Sequence, residues 1–228
     1  GRPFVKRFRE ERELTVMVLV DVSGSHEFGS GGQLKRELAA EVAATMAFSA
    51  IKNNDKVGLI CFSDRVERYV KPEKGTRHVL RVIREVLTVQ PQSPGTNVAS
   101  ALDYLVRVLR RRAVVFVISD FRTPAFEQSL RIAKRRHDII PVVVTDPRES
   151  ALPPVRFVEM IDNETGEFAV VDTSSREFRE SFAANAAREA EQRRRLLLKM
   201  RVQGVELATG QSYIEPLTKF FRAREARL

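Results

Sequence analysis

Two apolar runs, each stopped by an aspartate, constrain this chain more than any other feature. Leu14 to Val20 reads Leu-Thr-Val-Met-Val-Leu-Val and ends at Asp21, and Ala113 to Ser119 ends in the same way at Asp120. Continuous apolar runs of this length, rich in β-branched residues, belong to strands covered on both faces, the condition of a parallel sheet sandwiched by helices. After Asp21 comes a loop rich in Gly and Ser, and then Leu34, Leu38, Val42 and Met46 recur at helical spacing beside Ala39, Ala43 and Ala47. The unit is strand, loop, helix.

The same alternation continues along the chain. Val57 to Phe62, Ser63-Asp64-Arg65 and Val66 to Val70 read as a hairpin that supplies one antiparallel edge strand. Val79, Ile83, Val86 and Leu87 mark a second helix. After Pro91, Pro94 and Gly95, Thr96-Asn97 can cap a helix carrying Val98, Leu102, Leu105, Val106 and Leu109. A helix from about Ala125 to Arg136 precedes a strand from Ile139 to Val144, which stops at Asp146-Pro147. These elements predict an α/β fold: a doubly wound, mostly parallel sheet with one antiparallel edge strand and helices on both faces. Arg156 to Asp162 and Glu167 to Asp172 then flank Asn163-Glu164-Thr165-Gly166 as a further hairpin. A helix from about Arg176 to Gln203, ended by Gly204, leads to a short strand, Val205 to Ala208, and to a terminal helix marked by Tyr213, Leu217, Phe220 and Phe221. One domain is expected over 1–228, with its core at about 13–146 and a C-terminal hairpin and helical extension at about 155–228.

Composition narrows the function classes. With 43% hydrophobic residues among 228, the chain can build a core, yet no apolar run approaches the ~18 residues that a membrane span requires. A single cysteine, Cys61, rules out an internal disulfide and fits a reducing, cytoplasmic setting; it reads as a buried strand residue. The start at Gly1-Arg2-Pro3 reads as a cut, with an upstream segment expected. The net charge of +9 raises nucleic acid, anionic lipid and acidic protein as partners. Arg110-Arg111-Arg112 and Lys134-Arg135-Arg136 fall at helix ends, where cations complement the helix dipole, and Arg193-Arg194-Arg195 reads as a solvated helix face. With no nucleic-acid motif and no interleaved stacking aromatics, nucleic-acid binding is not the expected role.

In a doubly wound sheet, ligands bind beyond the carboxyl ends of the strands, where strand order reverses. Asp21 and Asp120 occupy that rim, and as neighbours across the switch point their carboxylates would repel unless a cation lay between them. Ser23 and Ser25 in the first loop and Thr96 in another supply neutral oxygens. An all-oxygen set with few carboxylates suits Mg²⁺, with Mn²⁺ or Ca²⁺ as alternatives, and leaves positive charge on the ion for an outside carboxylate to meet. Taken singly, the serines are turn formers and Thr96 a helix cap; together they form a site.

At these residues the sequence resembles the von Willebrand factor A and integrin inserted domains, whose metal-ion-dependent adhesion site combines an Asp-x-Ser-x-Ser loop, a Thr loop and an Asp loop. Asp21-Val22-Ser23-Gly24-Ser25, Gly95-Thr96-Asn97 and Ser119-Asp120 match the three in order. More narrowly, Phe8-Arg9-Glu10-Glu11-Arg12, Asp55-Lys56-Val57-Gly58-Leu59, the segment from Asp162 to Glu167 and Pro216-Leu217-Thr218-Lys219-Phe220-Phe221 are similar to the bacterial domain of unknown function fifty-eight family. The resemblance implies a segment upstream, sometimes with membrane helices, and action alongside a MoxR-type AAA+ ATPase or its client. The site itself predicts a non-enzymatic module docking a partner's Asp or Glu on the metal. His26 stands where the family often has Met, and reads as a solvated loop residue in preference to one that steadies a metal-bound water.

Two other readings carry less weight. Gly24 and Gly29 mimic the glycine spacing of a phosphate-binding loop, but Ser30 stands where that loop needs Lys. A hydrolase would need His26 or Glu27 as base for a metal-activated water, and both are loop residues without an evident partner. Asp146 and Glu149 fall on the same rim, as groups that support the site or contact the partner, with Asp146-Pro147 equally readable as a plain turn.

Overall fold

The computed structural model describes residues 13–30, 32–123, 125–161 and 166–226. The segment Phe8 to Arg12 and the turn from Asp162 to Thr165 lie outside them. The described residues form eight strands, β1 (Thr15–Asp21), β2 (Lys56–Phe62), β3 (Val66–Glu73), β4 (Val114–Ser119), β5 (Asp138–Thr145), β6 (Phe157–Ile161), β7 (Phe168–Asp172) and β8 (Val205–Ala208), and six α-helices. The helices are α1 (Lys35–Lys52), α2 (Thr76–Thr88), α3 (Val98–Val108), α4 (Glu127–Arg136), α5 (Arg176–Lys199) and α6 (Ile214–Glu225).

Six strands form one sheet in the order β3-β2-β1-β4-β5-β8, and β6 and β7 form a separate two-stranded ribbon. All neighbouring pairs of the large sheet are parallel except β2 with β3, so the antiparallel edge strand is where the sequence places it. The chain steps outward from β1 to β2 on one side and resumes with β4 on the other. Strand order therefore reverses between β1 and β4, which opens a crevice at their carboxyl ends.

Alternation along each strand sends residues to two cores. Val16, Val18 and Val20 join Leu59, Phe116 and Val142 beneath Leu38, Val42 and Met46 of α1, Val79 and Val82 of α2 and Leu217 of α6. Met17 and Leu19 join Ile60, Val115 and Val143 beneath Leu102 and Leu105 of α3, Leu130 of α4 and Leu197 of α5. Each such Leu or Ile, taken from water, contributes about 1.5–3 kcal/mol. Cys61 is buried in β2. The Phe221 ring lies edge-on to Phe116 at 6.0 Å, so the terminal helix does pack against the sheet.

The end of α5 differs from the sequence expectation. The helix stops at Lys199, not near Gln203, because Arg201 takes a left-handed conformation with φ of 51°. Gly204 has a different role from stopping the helix: a Cβ there would meet the Pro141 carbonyl oxygen at 2.4 Å, so only glycine lets β8 approach β5 this closely.

Candidate metal centre

β1 and β4 pair in register, Val20 opposite Ile118, so the residues that follow emerge side by side. Asp21 closes β1 and is fully buried; Asp120 follows β4 and is 1% exposed. The Ser23 amide donates to Asp21 Oδ1 at 3.0 Å and the Ser119 hydroxyl donates to Oδ2 at 2.6 Å. The Ser23 and Ser25 hydroxyl oxygens stand 3.1 Å apart.

Backbone contacts bring the other loops to this one. The Gly24 amide donates to the Pro94 carbonyl at 2.7 Å, and Asn97 N–H donates to the Ser63 carbonyl at 2.9 Å. The Thr123 hydroxyl donates to the Thr96 carbonyl at 3.1 Å, tying the loop after β4 to the loop before α3. Thr96 is buried. The cap of α3 is Asn97, whose side chain accepts from the Ser100 amide at 3.0 Å, so the hydroxyl of Thr96 is not needed to start the helix.

His26 corrects the sequence reading. It is 1% exposed, in a short 3-10 turn over Gly24–Glu27, rather than solvated. Its Nε2 stands 3.7 Å from Asp21 Oδ2, and neither ring nitrogen has a hydrogen-bond partner among the described residues. Asp21, His26 and Asp120 each offer a ligand atom within 4.8 Å of the others, and all three are buried. Buried polar groups are ordinarily satisfied. Two buried carboxylates with an unpartnered imidazole and two hydroxyls beside them fit a divalent cation.

The electrostatics of the pair are uneven. Burial, then the neighbouring Asp120 charge, push the Asp21 carboxyl above its ordinary range, against the pull of His26 and the two hydrogen bonds. Burial is the largest influence on Asp120 too and pushes its carboxyl up, but the Lys35 ammonium, His26 and the Arg122 amide together outweigh it and hold that carboxyl down at about 2. A cation would relieve the strain on Asp21.

A family model described as "Protein of unknown function DUF58" matches residues 1–192. The chain belongs to this family. Uncharacterized proteins of Mycobacterium bovis (Mb1516) and Mycobacterium tuberculosis (Rv1480) are each 32% identical to it over 192 residues, covering 81% of this chain and 60% of theirs. The DUF58 chain thus spans about 60% of the length of these relatives. Among solved structures, a conserved hypothetical protein, BatB, from Bacteroides thetaiotaomicron superposes with a TM-score of 0.58 at 14% identity, covering 94% of this chain and all of that one. An aerotolerance-related membrane protein of Bacteroides fragilis gives 0.57 at 15% identity, covering 86% and 92%. The shared fold is the von Willebrand A-like one that the resemblance at the three loops implied.

Lys35 of this DUF58 chain escaped the sequence reading. A lysine opening a helix after a glycine-rich loop reads as solvated, but here it is fully buried. Its amide donates to the Phe28 carbonyl at 2.9 Å, which tucks the start of α1 under the first loop. Its ammonium donates to Asp120 Oδ2 at 2.9 Å and to Glu149 Oε1 at 2.7 Å. Burial alone would lower the Lys35 pKa; the two carboxylates raise it instead, so the charge persists. Glu149 Oε2 accepts from the Asp146 amide at 3.0 Å, and Asp146 in turn accepts from Ser30 and Thr209. Both rim acids therefore support the site from behind. Arg122 adds a looser contact to Glu149 at 3.5 Å.

Proposed function

We propose that this domain is a metal-dependent protein-interaction module. Asp21, Ser23, Ser25, Thr96 and Asp120, joined by His26, would hold one divalent cation, and a partner's Asp or Glu would complete its shell. The observation that carries this reading is the meeting of buried Asp21, His26 and Asp120 within 4.8 Å at the switch point. The cation would supply a Lewis-acidic position that accepts one external carboxylate. The chain's own residues position that charge: Ser119 and the Ser23 amide fix Asp21, and Lys35 fixes Asp120.

Mg²⁺ follows from the oxygen donors alone. Admitting an imidazole brings Mn²⁺ and Zn²⁺ into contention, since both accept nitrogen readily. A groove of about 720 Å³, lined by Phe121, Arg122, Phe126, Arg193 and Leu196 among others, adjoins the loop of Asp120 and offers the partner a surface next to the metal. A MoxR-type AAA+ ATPase or its client is the partner the family resemblance suggests. We place the domain in the cytoplasm; no helix among the described residues is long and apolar enough to cross a membrane.

Binding is preferred over hydrolysis because the candidate bases are engaged. His26 lies within the ligand set, and Glu27 pairs with Arg36 at 2.6 Å on the surface. Arg110–Arg112 and Lys134–Arg136 precede β4 and β5, at the end of the sheet away from Asp21 and Asp120, so the basic clusters do not line the site. The deciding experiment is affinity capture with and without EDTA, using wild type and Asp21→Ala. Capture lost in both EDTA and the variant supports the module. Capture that ignores EDTA but falls steeply with salt would sink it in favour of a basic surface binding polyanions.

A further inference from the structure

Lys35 is a permanent cation built in behind the candidate metal site, and neither the three loop motifs nor the family description assigns it a role. Its ammonium is completely withdrawn from water and touches Asp120 Oδ2 at 2.9 Å. The other oxygen of that carboxylate, Oδ1, accepts the Arg122 amide at 3.0 Å. Both oxygens of Asp120 are thus already engaged, one of them by a full ammonium, whereas those of Asp21 accept hydrogen bonds from the neutral Ser23 amide and Ser119 hydroxyl, with the His26 imidazole further off at 3.7 Å. Glu149 gives Lys35 a second anion at 2.7 Å and is itself held by the Asp146 amide, so the ammonium is fixed from both sides.

We infer that Lys35 is a specificity-determining residue: by occupying one oxygen of Asp120 it limits how far the protein itself neutralises the bound cation, and so reserves positive charge for an incoming carboxylate. This rests on the metal reading above. Asp21 then acts as the principal anion of the site and Asp120 as a shared one. An ammonium close behind a divalent ion repels it and attracts a carboxylate approaching from the open side, so Lys35 trades metal affinity for ligand affinity. A site without it would bind the metal more tightly and a partner's acid more weakly.

The test uses Lys35→Met, which preserves length and burial, and the charge-balanced double variant Lys35→Met/Glu149→Gln, which avoids leaving Glu149 unpaired should the single variant fail to fold. The metals are MgCl₂ and MnCl₂, titrated by calorimetry after thermal melts establish that each protein is folded. Acetate is then titrated onto the Mn²⁺-loaded protein and read by water proton relaxation. The double variant is expected to bind the metals at least about tenfold more tightly, and acetate severalfold more weakly, on the size of like-charge repulsion at such range. Glu149→Gln alone, which leaves Lys35 on Asp120, should show neither gain. Equal or weaker metal binding by the folded double variant, with wild-type binding intact, overturns the inference. A wild type that binds neither metal overturns the metal reading itself, and this inference with it.

Discussion

The Ser119 hydroxyl donates to Asp21 Oδ2 at 2.6 Å, linking the carboxyl ends of β4 and β1 through side chains where the backbone ladder has ended. The same oxygen of Ser119 accepts the Phe121 amide at 3.0 Å, so one buried hydroxyl serves two loops. Ser119→Ala leaves a buried carboxylate short of a donor and a buried amide without an acceptor. The expected loss of stability is about 2 kcal/mol, measured by urea denaturation without metal. Metal affinity should fall severalfold with it, because Asp21 is no longer held in place. A loss below about 0.5 kcal/mol would show that water replaces the hydroxyl at little cost.

Asp21→Asn separates function from stability by its response to added metal. Burial and the nearby Asp120 charge disfavour the ionised Asp21 carboxyl in the folded chain. The amide removes the charge but replaces one acceptor oxygen, which meets the Ser23 amide or the Ser119 hydroxyl, by an NH2 donor, so the two effects oppose and the metal-free variant should melt within a few degrees of wild type. Added Mg²⁺ or Mn²⁺ should raise the Tm of wild type and leave the variant unmoved. If added metal raises the Tm of the variant as much as that of wild type, the Asp21 carboxylate is not holding a cation.

Thr96→Ala should spare the fold and impair the site. The α3 cap is the side chain of Asn97, and the contact from Thr123 reaches the Thr96 carbonyl, which the substitution retains. The expected stability change is under about 1 kcal/mol, with metal affinity reduced severalfold in calorimetry. Global unfolding would show that the Thr96 hydroxyl holds the loops together.

The sheet was legible because buried parallel strands announce themselves as unbroken apolar runs, and the loops that follow them must lie on one rim. Asp21 and Asp120 could be paired in advance for that reason, and Ser119 and Asp120 fall where the motif puts them. Lys35 and His26 could not be placed. Lysine and histidine in a polar loop or first helical turn are ordinarily solvated, and only the packing of α1 beneath the first loop takes both from water. A faint signal existed for His26: it directly follows the serine pair in a tight turn, so its ring must fall close to Asp21. The end of α5 was misplaced because Gly204 looks like a helix terminator, whereas its glycine character answers to Pro141 across the sheet.

His137 gives the fold a pH dependence remote from the metal site. It ends α4, is 1% exposed, and neither ring nitrogen has a hydrogen-bond partner among the described residues. Burial, then the positive charges of Arg136 and Arg112, hold its pKa below the ordinary 6.5. The unfolded chain therefore takes up a proton at this residue before the folded one does. Its contribution to stability is complete above the unfolded pKa and declines as pH falls from about 6.5 toward the depressed native value. Urea midpoints of metal-free protein at about pH 7 and about pH 5 should fall for wild type, and His137→Leu should remove part of that fall. Parallel pH profiles for the two proteins would show that the imidazole titrates alike in both states and that the two arginines do not act on it.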